Sequence, residues 1–321
     1  MMNRVFLIVS LIFALVFAPS GFGASAAQAK SASTSLRAVF LECRENFYNN
    51  VPPSFTLERR KSLSAQAQGL CFDGFAVLHS GVSRTPLWAA EHLTRERVTL
   101  AASLVREDSF RVESRLPHAD RAELRDYSRS GYDRGHLAPN GDMASTSQQY
   151  DSFSLANIAP QNATHNRNLW RHIEGSTRQL ARKYGDVYVV TGVAFLGENV
   201  QQIGGRVLVP THFYKAVYIP SERAAGVYFS PNTENARYEV ISLDELAERT
   251  GIKAMPSVPA GVRARTHELL KPADDGVQDG ERASPADLPV ALEEVGDLTK
   301  ASSWLLFLLE IFKYLVGLLN E

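Results

Sequence analysis

The stretch YDRGHLAPNGDM, residues 132–143, places an acid, an arginine, a glycine and a histidine in direct succession. A neutral histidine is a natural proton acceptor near pH 7, because its reference pKa is about 6.5. Gly135, beside His136, allows another part of the chain to approach the backbone closely. Residues 132–137 have strand character, and the Pro-Asn-Gly sequence at 139–141 ends the strand with a turn. The run favours acid–base chemistry at a strand end, provided that other groups join the histidine.

A second set of chemical residues recurs at four-residue intervals along a predicted helix. Hydrophobic residues at steps of three, four or seven predict a helix from Asn166 to Tyr184, with Gly185 as its C-cap. Steps of four advance by about 400° around an α-helix, so residues at this spacing form one slowly drifting stripe. The stripe is formed by Asn166, Glu174 and Arg178, with Trp170 at the same spacing. We expect it to lie apart from the core-facing Leu169, Ile173 and Leu180. A solvated helix face also carries glutamate and arginine, so the spacing alone leaves both interpretations open.

Together these motifs resemble the DNA/RNA non-specific endonuclease family, which includes mitochondrial endonuclease G and secreted sugar-non-specific nucleases. The Asp-Arg-Gly-His run at 133–136 is followed, at the family's spacing, by Asn-Ile-Ala-Pro-Gln at 157–161 and by the helix from Asn166. The resemblance covers roughly residues 75–246. Its further matches are Trp-Ala-Ala-Glu-His at 88–92 and Val-Pro-Thr-His-Phe-Tyr-Lys at 209–215. It implies an α+β fold with a mixed or antiparallel sheet core flanked by helices, carrying a ββα-metal active-site motif.

The resemblance implies that His136 is the general base that activates the attacking water. It makes Asn166 the single protein ligand of a Mg²⁺ ion, for which Mn²⁺ is a candidate substitute. Magnesium keeps several of its waters and takes few protein ligands, so one amide oxygen at a helix start suits it. Asparagine is also a common helix N-cap, and the two roles are compatible. The metal would bridge a phosphate oxygen and the leaving 3′ oxygen, and Glu174 would hold the waters around it.

The remaining motif residues are implied to bind phosphate or to support the site. Arg178 is expected to clamp a phosphate with its planar guanidinium, and Arg134 either does the same or pins its loop. Asp133 is expected to support the hairpin through hydrogen bonds rather than to act as a base. Asn157 and Gln161 are expected to orient the metal loop or the substrate. Some relatives bind phosphate with a further arginine upstream, for which the candidates are Arg106 and Arg111.

Strand and helix patterns elsewhere supply the elements that must position this site. Short runs rich in Val, Tyr and Phe predict strands at 75–79, 187–195, 207–219 and 226–229. Ser242, followed by Glu245 three residues later, predicts the start of a short helix at 242–249. The charged stretch 107–130 alternates in sign and predicts an exposed loop or a short helix.

The first residues are typical of an export signal. Residues 1–29 combine one arginine, a short apolar run and an Ala-Gln-Ala sequence that suits a cleavage site. An uncleaved N-terminal anchor is the alternative. Cleavage would leave residues 30–74 as an N-terminal segment ahead of a nuclease domain at 75–255.

Export also changes the interpretation of the two cysteines, Cys43 and Cys71. In an oxidising compartment an isolated pair most simply forms a disulfide. Two buried free thiols, or half of a metal site, are the alternatives.

Beyond the predicted nuclease domain the composition changes. Residues 256–300 are rich in Pro, Ala, Asp and Glu, which predicts a flexible acidic linker. Residues 301–321 predict an apolar or amphipathic helix, and Glu310 and Lys313 are the charges within its core at 304–319. This core is short for a bilayer span, which needs about 20 residues. Three possibilities remain: it lies on a membrane surface, self-associates, or docks on its own domain.

The formal net charge of -1 gives the chain no overall attraction for polyanions, so a nucleic-acid site must be a local basic patch. The predicted helix carries such a patch, formed by Arg167, Arg171, Arg178, Arg182 and Lys183. We expect an exported, periplasmic or secreted, Mg²⁺-dependent endonuclease that cuts DNA and RNA with little sequence preference and leaves 5′-phosphates. The rivals are a phosphodiesterase for small nucleotides and a nucleic-acid-binding protein that no longer cuts. The intact His136, Asn166 and Glu174 argue against the second rival.

Overall fold

The computed structural model describes residues 36–273, so the predicted signal peptide and C-terminal helix lie outside the described residues. The strands, named β1 to β13 in chain order, are Ser54–Phe55, Ala67–Phe72, Phe75–Ser80, Thr85–Thr94, Tyr132–His136, Ile158–Asn162, Asp186–Ala194, Gln202–Ile203, Val207–Leu208, His212–Ile219, Ala224–Pro231, Glu239–Ile241 and Ile252–Lys253.

Helices connect and cover these strands, beginning with a helical turn at residues 36–39. The α-helices that follow, α1 to α8, are Arg60–Leu63, Arg95–Ala101, Leu124–Tyr127, Thr146–Ser152, Ala163–His165, Arg171–Tyr184, Leu243–Thr250 and Ala260–Arg263. Short 3-10 helices are Leu41–Asn46, Tyr48–Asn50, Asn140–Asp142 and Leu155–Asn157. A π-helical turn, Asn166–Trp170, leads directly into α6.

Seven strands form one sheet in the order β12-β11-β10-β7-β4-β3-β2. Every neighbouring pair in it is antiparallel. The central strands β4 and β7 are buried along nearly their whole length, because alternate residues enter a hydrophobic core on each face. The predicted α+β class is therefore confirmed, with an antiparallel sheet.

The two faces of the sheet are covered by different parts of the chain. One face packs against α6 and the loop after His136, in a core that includes Phe75, Ala89, Trp170, Ile173 and Phe213. The other face packs against the N-terminal segment and α7, in a core that includes Phe40, Phe47, Trp88, Tyr214 and Leu246. Each fully buried large hydrophobic side chain stabilises the fold by about 1.5–3 kcal/mol relative to its exposure. The sheet is thus a rigid platform with the site on one face.

The fold begins before the predicted start of the nuclease domain at residue 75. Strand β2 lies at the edge of the main sheet, paired with β3. Strand β1 pairs with β13, so that Ser54 lies opposite Lys253. Residues 54–72 therefore belong to the same hydrophobic unit, and a boundary at 75 is wrong.

The fold also continues past residue 255. Val262 and Leu269 are buried, and the backbone N–H of His267 donates to the carbonyl of Ala225 at 3.0 Å. The carbonyl of Lys271 accepts a hydrogen bond from Ser176 in α6 at 3.0 Å. The predicted flexible linker is therefore wrong for residues 256–273, because these residues pack on the sheet and on α6.

Cys43 and Cys71 form a disulfide, with their Cα atoms 5.6 Å apart. The bond connects the 3-10 helix Leu41–Asn46 to the edge strand β2 and so fixes the N-terminal segment against the sheet. The predicted disulfide is confirmed, and the alternatives of free thiols or half a metal site are wrong.

Helix α6 ends as its sequence predicts. Gly185 adopts φ 84°, and its N–H donates to the carbonyl of Ala181 at 2.8 Å. Ser242 caps α7 by accepting a hydrogen bond from the backbone N–H of Glu245, as predicted. The predicted strand 207–219 is interrupted instead, since β9 and β10 are separate strands on either side of Pro210.

The charged stretch 107–130 is less exposed than its sequence predicts. It contains the short helix α3, but Leu116, Ala122 and Tyr127 are buried. These apolar residues anchor the chain between its charged positions. Among residues 36–273, no helix is long and apolar enough to cross a membrane.

The disulfide generates a stability prediction. Replacing both cysteines, Cys43→Ser with Cys71→Ser, should lower the free energy of unfolding by about 2–4 kcal/mol, because the unfolded chain regains the freedom that the bond removes. Denaturant unfolding of the oxidised protein and the double variant measures the difference. Equal midpoints with equal slopes would contradict a stabilising bond.

Candidate active site

The chemical residues of the motif are carried by a hairpin followed by a helix. Strands β5 and β6 pair antiparallel, with Asp133 opposite Gln161 and His136 opposite Ile158. The chain then enters the helical segment that runs through Asn166 into α6. The hairpin and the helical segment are also joined in space, because Asp133 on the hairpin accepts a hydrogen bond from Asn166 at the start of the segment.

His136 lies at the end of β5 in an aromatic pocket, with 6% of its surface exposed. The ring centroids of Phe110 and Phe153 are 5.4 and 5.1 Å from that of the imidazole. No described residue forms a hydrogen bond with its Nε2. Burial holds the pKa of His136 well below its usual value, and the charges of Arg106 and Arg134 lower it further. A neutral imidazole with an unpartnered nitrogen can accept a proton.

Gly135 is required by the closeness of the two hairpin strands. A Cβ at this position would lie 2.1 Å from Oε1 of Gln161, whose side chain crosses the glycine. Gln161 is fully buried, and its Nε2 donates to Nδ1 of His165 at 2.9 Å. The other nitrogen of His165, Nε2, hydrogen-bonds Ser230 on β11 at 3.1 Å. Gln161 therefore fixes the hairpin to the helix start and to the main sheet.

Asp133 connects the hairpin to the first turn of the helix. Its carboxylate accepts from Nε and Nη2 of Arg167 at 2.8 and 2.6 Å. It also accepts from Nδ2 of Asn166 at 3.0 Å. A carboxylate that pairs with arginine can only accept, so the nitrogen of the Asn166 amide must face it. The amide oxygen, Oδ1, is then the atom directed to other partners.

The π-helical turn Asn166–Trp170 changes the predicted stripe. Such a turn inserts one extra residue, which rotates the following helix by about 100° relative to an uninterrupted α-helix. Trp170, at the end of this turn, is fully buried, while Asn166 at its start is half-buried. Glu174 and Arg178 are buried as well, with 5% and 0% of their surfaces exposed. The prediction of a stripe apart from the core is wrong.

Arg178 lies in the interior beneath the hairpin. Its Nη1 donates to Oδ1 of Asp142 at 3.0 Å, and neither side chain reaches solvent. The predicted phosphate clamp by Arg178 is therefore wrong in this geometry, because its guanidinium is covered. It connects α6 to the chain that follows His136.

Asn157 also holds the chain that follows His136, through hydrogen bonds to Ala138. Its Oδ1 accepts from the backbone N–H of Ala138 at 2.9 Å. Its Nδ2 donates to the carbonyls of Ala138 and Ser152 at 2.8 and 2.9 Å. Because Asn157 is fully buried, it cannot reach a substrate and orients the loop beyond His136.

Two arginines flank the histidine. The guanidinium of Arg134 lies over the ring of Phe110 at 4.2 Å, and that of Arg106 over the ring of Phe153 at 5.1 Å. Arg111 stacks instead on Tyr150 and pairs with Asp151 at 3.2 Å. Of the two upstream candidates, Arg106 is therefore the one whose charge acts on His136.

Sequence reasoning missed several residues that shape this site. Arg167 was counted only as part of a basic patch, although it pairs with Asp133. Asp142 and the two aromatic rings around His136 carried no signal at all. The contacts of these residues depend on tertiary packing, as for Phe110, which precedes His136 by 26 residues in the chain.

The donor set fits a metal held mainly by water. Within residues 36–273, no three His, Cys, Asp or Glu side chains are grouped to hold a metal ion. The amide of Asn166 is oriented by Asp133, and Nε2 of His136 is left without a partner. A hard cation that keeps several waters and takes one neutral oxygen from the protein suits these groups.

The fold and the hairpin–helix unit define a nuclease of the ββα-metal class. The chain belongs to the DNA/RNA non-specific endonuclease family, whose model matches residues 55–261. It is 37% identical over 177 residues to nuclease C1 of Cunninghamella echinulata var. echinulata, covering 50% of this chain and 69% of that protein. It is 33% identical over 213 residues to the mitochondrial nuclease of Saccharomyces cerevisiae, covering 58% of this chain and 64% of that protein. The solved structure of an EndoG/EndoGI complex superposes with a TM-score of 0.54 and 28% identity, covering 57% of this chain and 84% of that one.

The lowered pKa of His136 predicts the pH dependence of the reaction. The buried imidazole of His136 takes a proton in the folded state only well below pH 6.5, so between pH 6.5 and that lower pH it stays neutral and able to accept a proton. The acid limb of kcat/KM, which reports the free enzyme, should therefore have its midpoint below 6.5. The same burial of neutral His136 favours the folded state above pH 6.5. This contribution to the free energy of unfolding is lost as the pH falls through the lowered pKa of His136. An acid midpoint at or above 6.5 would show that His136 is not the titrating base.

Proposed function

We propose that this chain is a metal-dependent endonuclease that hydrolyses phosphodiester bonds of DNA and RNA with little sequence preference, leaving 5′-phosphates. The observation that carries the proposal is the position of His136, neutral and unpartnered at Nε2, on the hairpin that Asp133 joins to Asn166. A base and an oriented amide oxygen on adjacent elements are what this hydrolysis requires.

His136 acts as the general base. Its Nε2 takes a proton from the attacking water, and the rings of Phe110 and Phe153 keep the imidazole in place. Burial favours the neutral form before the reaction, so little imidazolium competes with the productive state at neutral pH.

Asn166 binds the metal through Oδ1, and Asp133 keeps the amide in the orientation that presents this atom. Mg²⁺ is the proposed ion, with Mn²⁺ as a substitute, because the donors are hard and few. When bound, the ion supplies Lewis-acid stabilisation to the phosphate and to the leaving 3′ oxygen. Glu174, eight residues after Asn166 on the same helical segment, would order the waters around the site.

Arg134 and Arg106 provide positive charge on either side of the base. Both act electrostatically on His136, so their field also covers the position that a substrate phosphate occupies beside it. Phosphate contacts fix a nucleic acid in place without reading its sequence, which supports a non-specific activity. Because this binding is ionic, affinity should fall as salt rises.

Export and membrane contact belong to the same proposal. Residues 1–29 have the composition of a signal peptide, which makes the periplasm or the exterior the proposed location. The disulfide supports an oxidising compartment. Residues 304–319, with their apolar composition, are proposed to contact a membrane surface or a second copy.

Incubation of the purified protein with plasmid, with and without EDTA, tests the proposed activity. Metal-dependent cutting is the expected result. Turnover of small phosphodiesters without cutting, or a gel shift without cutting, would overturn it in favour of one of the rivals.

Removal of the base is the first mutational prediction. His136→Ala should lower kcat by about 10²–10⁴, the usual contribution of a positioned acid–base group, while DNA binding persists. The control is His118→Ala, since the side chain of His118 is 66% exposed. Near wild-type cutting by the His136 variant would refute the mechanism.

Removal of the proposed metal ligand is the second mutational prediction. Asn166→Ala should raise the Mg²⁺ concentration that gives half-maximal activity by at least about tenfold, because even the loss of a group that orients a ligand costs 10–100-fold. Asn168→Ala is the matched control, as Asn168 is exposed two residues further along. An unchanged midpoint in the first variant would place the metal elsewhere.

A further inference from the structure

Charged side chains are buried between the sheet and α6, below the proposed site. Glu91 of β4, Lys215 of β10, Arg178 of α6 and Asp142 of the 3-10 helix Asn140–Asp142 each expose at most 1% of their surface. Arg97 of α2 reaches into the same cluster. Burying charges is costly unless they are paired, so the cluster requires a specific arrangement of partners.

Arg97 connects this cluster through several hydrogen bonds. Its Nη2 donates to Oε1 of Glu91 at 3.3 Å and its Nε to the carbonyl of Asp142 at 2.8 Å. Its Nη1 donates to the carbonyl of Gly74 at 2.6 Å. Lys215 is satisfied separately, by donating to Oγ1 of Thr191 on β7 at 2.7 Å.

Two carboxylate oxygens in the cluster have no partner among the described residues. They are Oε2 of Glu91 and Oδ2 of Asp142, and both are buried. An ionised buried oxygen without a donor is strongly destabilising, whereas a protonated carboxyl group supplies a donor of its own. Asp142 is paired with Arg178 at 3.0 Å, whereas Glu91 is paired at 3.3 Å with Arg97, which also donates to backbone carbonyls, so Glu91 is the better holder of the proton.

The electrostatics agree with this assignment. Burial first, and the negative charge of Asp142 second, raise the pKa of Glu91 to about 8. The charges of Arg97, Lys215 and Arg178 oppose the shift without cancelling it. At neutral pH, Glu91 is therefore mostly uncharged.

The cluster connects directly to the chain that carries the base. Asp142 lies six residues after His136, and the turn between them is held by Asn157 from one side. Arg178 holds Asp142 from the other side and lies on the helical segment that starts at Asn166. A shift of Asp142 would therefore move the loop after the base relative to the helix.

We propose that Glu91 is a positioning residue for the hydrolytic reaction: its protonated carboxyl group keeps Asp142 paired with Arg178 and so fixes the loop after His136 on the metal-binding helix. The inference rests on the proposed function. Ionisation of Glu91 would place a second negative charge beside Asp142, in competition for Arg97 and Arg178. Activity should then fall as the pH rises through the pKa of Glu91.

The test compares three variants with the wild-type protein on plasmid DNA at saturating Mg²⁺. Glu91→Gln keeps the shape and the neutral state, so it should retain wild-type kcat at neutral pH within about twofold. Glu91→Ala removes the contact and should lower kcat by about 10–10²-fold with KM unchanged, the scale of a small misplacement. Glu96→Gln is the matched control, since it removes the charge of an exposed glutamate on the adjacent helix α2.

The pH profile is the readout that a purely structural role would not move. Wild-type kcat should fall above about pH 8, and Glu91→Gln should lack this fall while remaining folded by thermal melting. An identical alkaline fall in both proteins would overturn the proposal, as would Glu91→Gln being as impaired as Glu91→Ala. The glutamine variant decides the question even where the alanine variant fails to fold. A wild-type protein that does not cut DNA would instead refute the proposed function itself.

Discussion

The carboxylate of Asp133 is the contact on which the geometry of the site depends. It binds the guanidinium of Arg167 through two hydrogen bonds and the amide of Asn166 through a third. One acidic group on the hairpin thus fixes the first turn of the helix and turns the Asn166 oxygen outward. The approach of the strands that makes this possible requires Gly135, because a side chain there would collide with Gln161. The succession of acid, arginine, glycine and histidine is therefore explained by packing as much as by chemistry.

The site also depends on two different surroundings: aromatic rings around His136 and a buried ion pair beneath the hairpin. Phe110 and Phe153 surround His136, which keeps the imidazole neutral and in one orientation. Beneath the hairpin, Arg178 and Asp142 neutralise each other in the interior. The large antiparallel sheet lies behind both the aromatic rings and the ion pair. Its central strands are buried on both faces. Rigidity of this kind is expected where reacting groups must be held in a fixed relation.

Local patterns in the sequence were sufficient for part of this structure. The hairpin strand at 132–136, the glycine cap at Gly185 and the paired cysteines follow from short-range rules and from composition. Features that depend on distant parts of the chain could not be found in this way. Strand β1 pairs with β13 nearly two hundred residues later, so a resemblance that begins near residue 75 placed the start of the domain too late. The π-helical turn at Asn166–Trp170 changes the angle between Asn166 and the residues of α6, and the buried Arg178 pairs with Asp142; a uniform four-residue period reveals neither feature.

We propose that Asp133 orients Asn166 so that its oxygen would hold the metal beside His136. A crystal structure of the protein with Mn²⁺, located by its anomalous scattering, tests this claim most directly. We predict a single strong peak at coordination distance from Oδ1 of Asn166, with Nδ2 still bonded to Asp133 and the remaining positions filled by water. A peak held by other side chains, or an Asn166 amide turned away from Asp133 when the metal is bound, would contradict it.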